Sequence, residues 1–171
     1  MPNRLPLLAV LLGLGGLVPF LGCGAGAVAL QGEWARLSLF ALIGYAACIL
    51  SFLGAVHWGL ALDVPLLPAG SPLQLAVVQP PAVQRARLGL GVLPSLIAWA
   101  GLLAAFAGLP SVALGVLAAG FVATIIVETT AHRRSLLPPG YIWLRWLLSV
   151  VVIVVLVSVA LAHVTGQGVN F

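Results

Sequence analysis

Apolar residues run along this chain in long blocks separated by short polar breaks. Five blocks approach the roughly 20 residues that carry a helix across a bilayer. They cover residues 5–30, 37–62, 88–109, 111–131 and 141–162. The pattern predicts an all-α membrane protein, a bundle of five transmembrane helices in a single domain over residues 1–171. The breaks are short. Gln31 to Arg36 joins the first pair, Gly108-Leu109-Pro110 forms a tight hairpin, and Pro138-Pro139-Gly140 marks a turn before the last block. The longest break, 63–87, holds Pro65, Pro68, Pro72, Pro80 and Pro81, a proline density that argues against helix there.

Composition supports this reading. The chain is 63% hydrophobic and only 6% charged, where a soluble domain carries roughly 25% charged residues. So few charges cannot solvate a globular surface, so most of the surface faces lipid. All seven basic residues are arginine. They lie between apolar blocks, where they set orientation rather than form a nucleic-acid footprint. The absence of lysine excludes a Schiff base to retinal or pyridoxal phosphate, and also a Walker A loop. Cys23 and Cys48 form no metal pattern and read as small apolar residues. The segment after Arg4 resembles a signal peptide, but the spans that follow favour its retention as the first crossing.

Arginine counting gives an orientation. With five spans, Arg4, Arg85, Arg87, Arg133, Arg134 and Arg145 share one side, and Arg36 stands alone on the other. The positive-inside rule puts the N-terminus in the cytoplasm and the C-terminus outside, in a bacterial inner membrane or, less favoured, a mitochondrial one.

The same counting brings several polar residues to similar depth in the inner half. They are His57 and Trp58 in the second span, Pro94 and Ser95 in the third, Glu128 in the fourth and Arg145 in the fifth. Ionisable groups inside a membrane face the bundle interior and pair, which nominates Glu128 with Arg145 or Arg133. His57 reads as a ligand, proton or metal site, or as a neutral histidine bonded across a helix interface. Trp58 and Trp99 read as interior, either packing or lining a cavity. Pro19 and Pro94 are expected to kink their helices, and a kink can open a pocket. Gly44, Ala47, Ser51, Gly54, Trp58 and Ala61 fall on one arc of the second span, a small-residue stripe suited to close helix contact.

Some stretches resemble a known family. They are Gly13-Leu14-Gly15-Gly16-Leu17-Val18-Pro19-Phe20 and Tyr45 to Gly59, above all Ser51-Phe52-Leu53-Gly54-Ala55-Val56-His57-Trp58-Gly59, with a weaker match at Gly91 to Trp99. The chain resembles the bacterial domain-of-unknown-function 3429 family, itself similar to the mitochondrial protein called transmembrane protein 69. The resemblance implies a multi-span inner-membrane protein, adds weight to Pro19, His57 and Trp58, and gives them no role.

No GxSxG, HExxH, carboxylate pair or Cys/His set is present. That favours a binding or accessory role over an enzyme and names no cofactor. Two classes remain. One is a bundle that holds an apolar ligand (lipid, quinone or porphyrin) between helices, with His57, Trp58, Pro94, Ser95, Trp99, Glu128 and Arg145 as candidate ligand-binding residues. The other is an accessory or assembly subunit of a larger membrane complex. The expected partners are the bilayer, a small apolar ligand or other membrane subunits, and not nucleic acid.

Overall fold

The computed structural model describes residues 7–62, 81–133 and 139–166. Among them are six helices and no strand: α1 (Leu7–Gly15), α2 (Leu17–Ala29), α3 (Gly32–Leu62), α4 (Pro81–Phe106), α5 (Pro110–Arg133) and α6 (Pro139–Val164). They supply five apolar spans, with α1 and α2 together forming the first, Val10–Ala29. The others are Gly32–Val56, Leu88–Phe106, Pro110–Thr130 and Trp143–Val164. The last, at 22 residues, measures about 33 Å at 1.5 Å per residue, enough for the roughly 30 Å hydrocarbon core.

Two boundaries differ from the expectation. The second span begins at Gly32 rather than residue 37, so Glu33 to Arg36 is helix and not loop. Gly32 turns the chain at φ +59°, and Glu33 then sits in the first turn, where a carboxylate suits the positive end of the helix dipole. It pairs with Arg36 at 2.7 Å. The helix of the third span, α4, begins at Pro81, because proline is well tolerated at the first helical position, where its missing N–H is no loss. The remainder of the proline-rich stretch, 63–80, and the turn at 134–138 lie outside the described residues.

The hairpin at Gly108 is as predicted. Gly108 takes φ +77°, and two bonds close the end of α4, from Leu109 N–H to Ala104 C=O (2.9 Å) and from Gly108 N–H to Ala105 C=O (3.0 Å). This is a Schellman ending, and the left-handed position calls for glycine.

The first span is broken at Gly16. Pro19 has no N–H for the Gly15 carbonyl, and its ring crowds that turn. The Tyr45 hydroxyl of α3 donates to Gly16 C=O at 3.0 Å, and its ring meets Phe20 edge-on at 4.9 Å.

The crossings close a ring in chain order, α2–α3–α4–α5–α6 and back to α2, with α3 and α5 touching across the middle. Glycine permits the closest approaches. A Cβ on Gly54 would collide with Gly91 C=O, and one on Gly91 would collide with Trp58, so the α3 and α4 backbones nearly touch. Gly24 plays the same part for α2 against Val155 of α6. The small-residue stripe of α3 is therefore used, at Ala47 and Gly54, inside the chain. Toward the α2–α3 and α4–α5 turns the core is dense, with Leu39, Leu42, Leu114 and Leu156 almost fully buried.

Candidate functional site

The opposite end, which carries Arg85 and Arg145, is not filled. A cavity of about 470 Å³ lies there between α1, α2, α3, α5 and α6. That is within the range of roughly 300–1,000 Å³ of small-molecule pockets. Gly13 and Gly16 line it and contribute no side chain to the gap. Its walls are apolar, with Phe20, Ile49, Leu53, Phe121 and Val152 among them. Leu12 and Phe52 also line it and are 68% and 64% exposed. They flank a mouth on the exposed side of the cavity, between α1 and α3.

Two polar residues interrupt these walls, both on α6 and one helical turn apart: Arg145 and Ser149. The Arg145 side chain is 12% exposed and meets a Glu128 carboxylate that is 3% exposed. The pairing is fork to fork, Nε donating to Oε2 at 2.8 Å and Nη2 donating to Oε1 at 2.7 Å. Among the described residues Nη1 has no acceptor. Next to it, Trp146 Nε1 donates to Thr129 Oγ1 at 3.1 Å, so α5 and α6 are joined at two successive positions. Of the pairings nominated from sequence, Glu128 takes Arg145. The side chain of Arg133 lies outside the described residues.

Ser149 is 5% exposed. The bonded serine and threonine hydroxyls of the spans donate to the carbonyl four residues back, as Ser51 does to Ala47 and Thr124 to Gly120. Ser149 has no such bond and no other partner among the described residues. A buried polar group without a partner is costly, and each instance in a native structure asks for an explanation.

The single inner-half pocket expected from sequence is divided in two. Arg145 lines the cavity just described, and Glu128 reaches it only through its bond to Arg145, without lining the cavity itself. Trp58 and Ser95 share a shallow depression of about 270 Å³ between α3 and α4. At about 100° per residue, the α3 residues of the cavity (Ile49, Phe52, Leu53, Val56) and of the depression (Ser51, Ala55, Trp58) occupy different faces of that helix.

Four expected residues need correction or placement. Trp99 is not interior. It is 60% exposed, because it lies on the outward face of α4 with Leu96 and Leu103. Trp58 is 45% exposed and sits just past the end of the apolar stretch at Val56, where tryptophan is at home. It donates from Nε1 to Leu88 C=O at 3.1 Å and covers Gly91. Pro94 is buried in the same crossing, beside Gly54. The side chain of His57 lies outside the described residues.

Sequence reasoning missed Ser149, Phe52, Phe121 and Leu12. For Ser149 a signal was available. It is a polar residue four positions after an intramembrane arginine, hence on the same helix face.

The model of a family described as "Protein of unknown function (DUF3429)" matches residues 5–161. No curated protein and no solved structure matches the chain.

Proposed function

The chain belongs to the family of domain of unknown function 3429, whose description carries no activity, and from its site we propose that it is a ligand-binding membrane bundle. The ligand is a small, mostly apolar molecule held between α1, α3 and α6. The observation that carries this reading is a cavity of about 470 Å³, apolar except for a few convergent polar groups, as in a typical small-molecule site. Of the ligand classes named from sequence, lipid and quinone suit a side mouth opening into the bilayer. Arginine counting supports a bacterial inner membrane with the cavity in the cytoplasmic half. Reporters fused after the N-terminal segment and after α6 test that orientation, with cytoplasmic and periplasmic signals expected respectively.

The accessory-subunit reading drew on the small-residue stripe of α3. Ala47 and Gly54 of that stripe are buried within the chain, while at Gly44 an added Cβ would meet nothing within 4 Å.

Native mass spectrometry of the protein released from mild detergent tests the binding reading. The expected result is a bound small apolar species, absent from Val56→Trp, in which an indole occupies part of the cavity. Bare polypeptide in both proteins, across detergents that preserve the fold, overturns the reading.

A further inference from the structure

The polar groups at the cavity specify the head of the ligand. Glu128 already neutralises Arg145, through Nε and Nη2. The groups left to donate are the remaining N–H groups of Arg145, two on Nη1 and one on Nη2, and the Ser149 hydroxyl, one turn apart on α6. All are donors, and none has an acceptor among the described residues. An anionic head would bring a second negative charge to a pair that is already neutral, close to the Glu128 carboxylate and in a medium of low dielectric. Burying a charge without a counter-charge is far more costly than burying a bonded neutral group. A pure hydrocarbon would leave these donors unsatisfied. A neutral carbonyl oxygen, with two lone pairs and no charge, meets both requirements.

We infer that the cavity takes a neutral carbonyl-headed lipid (an ester, ketone or quinone), its oxygen accepting from Arg145 Nη1 and Ser149 Oγ. Its tail lies along the apolar wall and leaves through the mouth between Leu12 and Phe52, so the molecule arrives from the bilayer and not from water. The volume suits a single tail with a compact head. This assignment rests on the binding reading above and adds to it the chemical class of the head and the route of access.

The test uses the full chain in lipid nanodiscs and three photoactivatable probes of equal chain length, each with a mid-chain diazirine: a fatty acid methyl ester, the free fatty acid and the alkane. Crosslinks are mapped by peptide mass spectrometry. The ester is expected to label cavity walls such as Phe52 and Leu148 about fivefold or more over the alkane, the preference that net hydrogen bonds to one oxygen give. The free acid is expected to label more weakly than the ester. Ser149→Ala is expected to reduce ester labelling and leave alkane labelling unchanged, which a general loss of structure would not do. Equal cavity labelling by ester and alkane overturns the carbonyl assignment while leaving the binding reading intact. Strongest labelling by the free acid overturns the neutral head. Cavity labelling by none of the probes, with labelling confined to the outer helix faces, overturns both.

Discussion

Replacing Ser149 by alanine removes a hydroxyl that is 5% exposed and has no partner among the described residues. The substitution deletes one oxygen beside an existing cavity, so it creates little new void. In soluble proteins an unsatisfied buried polar group costs about 1–3 kcal/mol. In a membrane the unfolded state also finds partners, and measured interhelical hydrogen bonds average only about 0.6 kcal/mol. The expected effect is therefore a gain of about 1 kcal/mol in the ligand-free protein. Thr124→Val is the control. Its hydroxyl is equally buried but donates to Gly120 C=O at 2.8 Å, so its removal is expected to be neutral or slightly destabilising. Reversible unfolding by sodium dodecyl sulfate in mixed micelles, followed by tryptophan fluorescence or far-ultraviolet circular dichroism, measures both. Saturating methyl ester should shrink or reverse the Ser149→Ala gain, since a ligand stabilises the state it binds in proportion to its affinity. A loss of 1 kcal/mol or more on Ser149→Ala without ligand would refute the reasoning, because it would mean that the hydroxyl is already bonded.

Other perturbations read other parts of the structure. Glu128→Gln leaves the Arg145 guanidinium buried without its counter-charge and is expected to cost about 3–5 kcal/mol, with Glu128→Gln/Arg145→Met recovering much of it; the same detergent titration decides. Gly54→Leu forces a side chain into Gly91 C=O and is expected to part α3 from α4, read as lost folded yield and rapid proteolysis, whereas Gly44→Leu, where a Cβ meets nothing within 4 Å, is expected to be tolerated. Tyr45→Phe removes the donor to Gly16 C=O and is expected to destabilise by about 1 kcal/mol, with faster hydrogen exchange around the break at Gly16.

The crossings themselves were legible in the sequence because hydrocarbon imposes a simple rule, about twenty apolar residues per helix. The Gly108–Pro110 hairpin was legible for a local reason, glycine at a left-handed position followed by proline at a helix start. The Glu128–Arg145 pair followed from cost, since two ionisable groups at one depth inside lipid have few other options. Azimuth was not legible. Which way Trp99 faces depends on how α4 rotates in the ring. That rotation is set by the meeting of Gly54 with Gly91, a contact between stretches far apart in sequence. The family-like stretches Ser51–Gly59 and Gly91–Trp99 meet at that crossing. Their glycines, Trp58 and Pro94 thus have a packing role that composition alone does not reveal. The cavity lay beyond reach for a related reason. A proline kink announces that a gap is possible, but its walls come from four other helices.

The tightest seam in the ring joins two helices that the chain connects only through residues 63–80. The α3–α4 pair is the most extensive in the bundle, and its shape is set by Gly54, Gly91 and Trp58 rather than by a short turn. Covalent continuity across 63–80 is therefore expected to be dispensable for mutual recognition. Residues 1–62 and 81–171, made as separate polypeptides in one cell, should find each other in the bilayer and copurify, and Gly54→Leu in the first fragment should keep them apart.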